Sequence, residues 1–358
     1  MSQTVPPGGT IGIFGGGQLG RMTALAAAEL GYACHIYCPD PDSPAFAVAA
    51  KHTCKPYDDE NALLRFSKSV DVVTFEFENV PADSVRLVAE KTPVRPGWTA
   101  LETSQDRILE KSFFNKLGIA TAPWRAVDGP QALAAALKEL GAPAVLKSTR
   151  LGYDGKGQVK IARGDDPKKA WAAMGSSMGI LEGFVEFDRE ISVIVARSPT
   201  GAVAAYDPVD NVHSNHILDL TIAPARIPEA LADKARAIAC GAADALKLEG
   251  LLAVEMFVTT DGRLLVNEMA PRPHNSGHWT LDACAVSQFE QLVRAVCGLP
   301  LGNPERHSNA EMKNLLGDDI DGWKTFLSEP HACLHLYGKK EAKPGRKMGH
   351  VTRLKPRS

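Results

Sequence analysis

The sequence predicts an α/β protein, α+β in part, built as two or three domains. Two observations carry that prediction. Short apolar runs alternate with helical patterns through the first hundred or so residues, as in a parallel sheet covered by helices. Strands then dominate the middle of the chain, and 358 residues are too many for one compact core.

The first apolar run, residues 10–14, ends in Gly15-Gly16-Gly17, and a helical pattern over 22–30 stops at Gly31. A strand over 33–38, turn residues 39–44 and a Val-rich strand over 70–75 follow, and the unit closes near Pro96-Gly97. Residues 103–117 read as one helix leading into a second unit. That unit has strands over 144–148, 159–162 and 179–185 and a helix over 167–174. Strands are expected through 190–206 and an Ala-rich helix over 228–246. Runs 251–258 and 263–269 read as a hairpin around Asp261-Gly262. Beyond Leu299-Pro300 the chain reads as polar and irregular, ending in a basic tail.

Composition excludes several classes. With 44% hydrophobic and 23% charged residues the chain is ordinary globular material, and a net charge of -2 lacks the basic surplus of nucleic-acid binders. No apolar run approaches the roughly 18 residues that span a bilayer, and the polar, Pro/Gly-rich start is not a signal peptide. Seven scattered cysteines make neither a disulfide framework nor a zinc site, so a reducing cytoplasm is expected. His331 and His335 lack a carboxylate or Cys in a metal pattern and read as structural.

Two glycine loops stand out. Gly15-x-Gly17-x-x-Gly20 follows a strand and opens a helix, with Asp40 about twenty residues on. Bare amides at a helix start can hold an anion, but the pattern does not distinguish a dinucleotide pyrophosphate from a sugar phosphate or a tight turn. The second loop, Gly152-Tyr153-Asp154-Gly155-Lys156-Gly157-Gln158, lies between two strands and has more glycine than a hairpin needs. Such a loop can close its amides over a polyphosphate as a lid. Lys147 interrupts the apolar run before it, where a buried ammonium calls for an anionic partner.

A carboxylate pair follows from the hairpin. If Asp261-Gly262 is a two-residue turn, Thr260 faces Arg263 and Glu255 stands opposite Glu268. Two charges about 5 Å apart repel by roughly 3 kcal/mol at an effective dielectric near 20. A cation between them is the natural remedy, and carboxylates plus substrate phosphates suit Mg²⁺. Asn267 would point to the opposite face of a regular strand and could join them only at a bulge or a strand end. The polar run Arg272-Pro273-His274-Asn275-Ser276-Gly277-His278-Trp279 downstream reads as an anion site.

These pieces come in the order of the ATP-grasp superfamily, and particular strings resemble the N5-carboxyaminoimidazole ribonucleotide synthetase family. The strings are Phe14-Gly15-Gly16-Gly17-Gln18-Leu19-Gly20-Arg21-Met22, Thr74-Phe75-Glu76-Phe77-Glu78-Asn79-Val80 and residues 152–158. To these are added 267–279 and Gly345-Arg346-Lys347-Met348-Gly349-His350. The resemblance implies an ATP-grasp fold with an N-terminal Rossmann-like domain (1–104), an ATP-grasp domain (105–298, its lid about 120–187) and a short C-terminal domain (299–358). The family usually runs on past Gly349-His350 into a further helical segment.

The resemblance also implies roles. Arg107 and Lys147 would hold ATP phosphates under the amides of 152–158. Glu182-Gly183-Phe184-Val185 would read adenine through backbone, Glu190 would take the ribose, and His213 would add a nucleotide contact. Glu255, Asn267 and Glu268 would bind Mg²⁺. Arg272 with His274, Asn275 and Ser276, helped by Tyr153, would hold bicarbonate. Gln18, Leu19, Glu76 and Asp154 would line the aminoimidazole ribonucleotide site, with Lys339, Arg346 and Lys347 on its phosphate. The implied reaction is carbon–nitrogen ligation with ATP and bicarbonate through carboxyphosphate, without biotin. The implied assembly is a homodimer that passes product to a carboxyaminoimidazole ribonucleotide mutase. A sister ATP-grasp enzyme, the formate-dependent glycinamide ribonucleotide transformylase, is expected to carry Asp where this chain has Asn275-Ser276.

Overall fold

The computed structural model describes residues 4–150 and 157–357. The alternating N-terminal pattern forms β1 (Thr10–Phe14), β2 (Ala33–Tyr37), β3 (Lys51–Thr53) and β4 (Val72–Phe75), an all-parallel sheet in the order β3-β2-β1-β4. β1 and β4 read as continuous apolar runs because both faces of this sheet are covered. A second sheet, antiparallel in the order β5-β8-β6-β7, comprises β5 (Trp124–Val127), β6 (Ala144–Ser148), β7 (Gln158–Ile161) and β8 (Gly179–Gly183). It has its own small core of Val127, Leu133, Leu146, Ala170 and Leu181.

The third sheet is the frame of the molecule. It joins β9 (Phe187–Arg197), β10 (Val203–Ala205), β11 (Val209–Ser214), β12 (Ile217–Ala223), β13 (Gly250–Thr259), β14 (Leu264–Ala270), β15 (Asn309–Leu316), β16 (Ala332–Leu336) and β17 (Lys347–Lys355). Period-two alternation sends the side chains of β9 to two different cores. Ile191, Val193 and Val195 pack with the helix Glu229–Ala245, while Ile194 and Ala196 pack toward the helix Gln288–Cys297 and the N-terminal domain. Glu255 continues the face of Leu251 and Ala253, where the second of these cores gives way to a cavity.

The structure corrects four expectations. The helix expected over 103–117 is two helices, Trp98–Gln105 and Arg107–Lys116. They break at Asp106, which takes extended backbone angles and accepts hydrogen bonds from the amides of Ile108 and Leu109. The C-terminal stretch is not irregular. Ala310, Met312 and Asn314 alternate inward along β15 while Glu311 and Lys313 on the outer side pair with Lys355 and Asp219 of the neighbouring strands, and those charges mask the strand pattern. His335 does have a carboxylate, since its Nε2 lies 3.0 Å from Asp282, fifty-three positions away.

The hairpin turn is the fourth correction. Thr259 opposes Arg263 and the loop has three residues, with Gly262 at φ +79 in the left-handed region. That offset alone would put Glu255 opposite Asn267. A bulge then inserts Asn267 on β14, so the register runs Met256↔Val266 and next Glu255↔Glu268. The opposition of the two glutamates therefore holds, by two offsets that cancel.

Candidate active site

The three sheets converge on one cavity of about 880 Å³. Its walls include Gln18, Leu19, Glu76, Arg107, Lys147, Gly157, Gln158, the run Glu182–Val185, Glu190, His213, Glu255, Asn267, Glu268, Arg272, His274, Asn275 and Lys347. Gly152, Tyr153, Asp154, Gly155 and Lys156 lie outside the described residues. Ser276, Lys339 and Arg346 are set back from this lining.

At the N-terminal edge the first glycine loop serves a protein carboxylate. Glu76 follows β4 and accepts from the amides of Gly17 and Gly20, the latter at 2.6 Å. A Cβ at Gly15 would sit 2.4 Å from the Glu76 side chain, so that glycine makes room for it. The amides at which a dinucleotide pyrophosphate would dock are thus already taken. Burial raises the Glu76 carboxyl, and the Gly20 and Gly17 amides, Arg272 and Lys339 work against that rise.

On the lid-sheet side Lys147 donates to Glu182 Oε2 at 2.9 Å, and Lys111 stands 3.6 Å from the same oxygen. Burial opposes the charge on Glu182, but the two lysines outweigh it and hold the carboxyl at about 2. The amides of Gly183 and Phe184 bond to Pro123 and Pro143 carbonyls. His213 Nδ1 lies 3.2 Å from Glu190 Oε2. Burial disfavours its charge, yet Glu190 and Glu255 raise its pKa.

The bulge turns Asn267 toward the cavity beside Glu268, and its Oδ1 is buried without a protein partner among the described residues. Arg107 Nη1 donates to Glu268 Oε2 at 3.0 Å. Glu255 Oε1 meets His274 Nε2 at 2.9 Å. Burial would raise the Glu255 carboxyl, but His274, His213 and Arg272 keep it at about 2.

Arg272 is anchored by a bond from Nε to Glu78 and by Nη1 to Pro273 O. Asn275 and Ser276 are both hydrogen-bonded within the protein. The Asn275 amide makes a reciprocal pair with Asn314 (2.9 and 2.8 Å). The fully buried Ser276 hydroxyl bonds Ser192 and His274 Nδ1. Lys339 donates to Lys347 O at 2.6 Å. Burial, and then Arg346, lower the Lys339 pKa to about 8, with Lys347 adding to the effect.

Three residues around the cavity carry no role in the sequence reading. Glu78 stands two positions after Glu76, and that spacing was its signal. Glu110 and Lys111 are i+3 and i+4 from Arg107 on one helix face, a pattern that the expected longer helix left without meaning.

A cavity between a small antiparallel lid sheet and a larger sheet bearing opposed carboxylates defines an ATP-grasp protein. The ATP-grasp domain family matches residues 112–289, the ribonucleotide synthetase preATP-grasp domain 9–105, and the phosphoribosylaminoimidazole carboxylase C-terminal domain 310–358. The N5-carboxyaminoimidazole ribonucleotide synthase of Brucella melitensis is 54% identical over 99% of both chains. The solved ADP complex of an N5-carboxyaminoimidazole ribonucleotide synthetase superposes with TM-score 0.96 at 45% identity, covering 99% of this chain and 94% of that one. The Aspergillus clavatus enzyme in complex with ADP and 5-aminoimidazole ribonucleotide gives TM-score 0.91 at 34% identity, over 97% and 94%. This chain belongs to the N5-carboxyaminoimidazole ribonucleotide synthase family.

Proposed function

We propose that this chain carboxylates the exocyclic amine of 5-aminoimidazole ribonucleotide in purine biosynthesis, consuming ATP and bicarbonate and releasing ADP and phosphate. The observation that carries the reading is one cavity with three neighbouring parts. Lys147, Glu182 and Glu190 supply a nucleotide end, Gln18, Glu76 and Lys347 supply a second end, and Arg272 with His274 lies between.

Bicarbonate is a poor electrophile and the amine a weak nucleophile. Transfer of the ATP γ-phosphoryl group to a bicarbonate oxygen makes carboxyphosphate, a mixed anhydride, and releases ADP. The carbon then passes to the amine as a carbamate while phosphate leaves. Arg107 and Lys147 hold the phosphates, and Arg272, fixed by Glu78, holds bicarbonate beside His274. The lid sheet keeps out water that would hydrolyse the anhydride.

Glu255, Glu268 and the unpartnered Oδ1 of Asn267 make an all-oxygen donor set that fits Mg²⁺. When bound, the ion would neutralise charge on the transferring phosphoryl group. Arg346, Lys339 and Lys347 take the substrate 5′-phosphate, and Tyr153 and Asp154 remain part of this reading as bicarbonate and substrate contacts. A homodimer in a reducing cytoplasm, handing product to a carboxyaminoimidazole ribonucleotide mutase, belongs to the same reading; the cysteines are all free, and among the described residues no helix is long and apolar enough to cross a membrane.

The test is phosphate release from Mg-ATP and bicarbonate with and without aminoimidazole ribonucleotide, with glycinamide ribonucleotide plus formate as the comparison. Stimulation by aminoimidazole ribonucleotide alone supports the reading. Stimulation by the other pair moves the chain to transformylase chemistry.

A further inference from the structure

The bulge at Asn267 places two oxygen-bearing side chains toward the same cavity, but a bulge also takes backbone groups out of the ladder. The helix Arg107–Lys116 supplies replacements from one face. Lys111 Nζ donates to Asn267 O at 2.9 Å and lies 3.5 Å from Val266 O. Glu110 Oε1 accepts from the Met269 amide at 2.6 Å. Arg107, on the same face, reaches the Glu268 carboxylate. The strand is therefore gripped on both sides of Glu268.

Helix packing alone does not require charged residues here. Lys111 is 0% and Glu110 2% exposed, and burying such groups is costly unless they are paired. Both are paired to the backbone of the bulged strand rather than to solvent. Lys111 has a second partner, Glu182 Oε2 on β8 of the lid sheet, where Lys147 also binds. One ammonium thus joins the carbonyl of the bulge to the strand that borders the nucleotide end.

We propose that Lys111 and Glu110 are positioning residues that hold the Asn267 bulge open toward the cavity, and that Lys111 ties it to the lid through Glu182. The proposal rests on the reading of Glu255, Asn267 and Glu268 as divalent-cation ligands. Neither residue touches the ion; they set the strand that presents it with two donors, as outer-shell partners do in metal sites.

The experiment is calorimetric titration of the full chain with ADP, in excess Mg²⁺ and in EDTA, together with a thermal melt of each variant. The readout is the gain in ADP affinity that Mg²⁺ confers. Lys111→Met and Glu110→Met are expected to cut that gain about 10-fold, while Glu110→Gln, which keeps the acceptor for the Met269 amide, restores most of it. Folded Lys111→Met and Glu110→Met proteins with the wild-type gain would overturn the proposal. If Lys111→Met does not fold, the contrast between Glu110→Met and Glu110→Gln decides, and equal loss in both refutes positioning through the hydrogen bond. Glu268→Gln is the control: if it leaves the gain intact, or wild type shows none, the cation reading fails and takes the proposal with it. Loss in Glu268→Gln without loss in the helix variants rejects the positioning role alone.

Discussion

Glu78→Gln separates the charge of Glu78 from its shape. Its carboxyl is held at about 2 against the ordinary 4.5, because Arg272 outweighs the burial that would raise it. That displacement corresponds to about 3 kcal/mol in favour of the ionised form. Glutamine can still accept from Arg272, and neutral hydrogen bonds are about half as strong as charge-assisted ones. A loss of about 1–2 kcal/mol at pH 7 is therefore expected. The sign follows from a depressed carboxyl: its contribution is complete above 4.5 and is lost as pH falls through about 2. Urea unfolding should show the wild-type advantage at pH 7 and a shrinking one below 4.5. Arg272 would also lose its aim, so kcat with bicarbonate should fall about 10- to 100-fold while the KM for ATP stays close to wild type. Unchanged kcat, or a stability gap that does not narrow in acid, would refute the claim that the charge of Glu78 orients Arg272.

Glu255→Gln or Glu268→Gln should lower turnover at least about 100-fold in steady-state phosphate release, and near-normal activity in either would remove the cation assignment. Lys147→Met takes one of two lysines from Glu182 Oε2, and calorimetry should show ADP binding weakened about 10-fold. Lys339 titrates near 8, so the KM for aminoimidazole ribonucleotide should climb as pH rises through that value and the ammonium deprotonates. Lys339→Arg should flatten the climb; an identical pH profile in that variant would show that another group is responsible.

The sequence alone determined the alternating N-terminal sheet, the lid strand with Lys147 and the polar run from Arg272, whereas the Glu255–Glu268 opposition expected from a two-residue turn holds only because a bulge cancels the extra turn residue. The former rest on local periodicity or on short strings whose chemistry travels with them. Tertiary structure decided the rest, because partners distant in sequence set it. Glu76 occupies the first glycine loop from the end of the neighbouring strand β4, fifty-six residues from Gly20. Asn275, at the cavity wall, is oriented by Asn314, thirty-nine positions on. The charged outer face of β15 hid a strand that only pairing with β12 and β17 reveals. The bulge was legible as a condition, since Asn267 could face the cavity only if the strand departed from period two. That it occurs, and that Glu110 and Lys111 hold it, depends on a helix packing against a strand about 155 residues away, and no local pattern encodes such a contact.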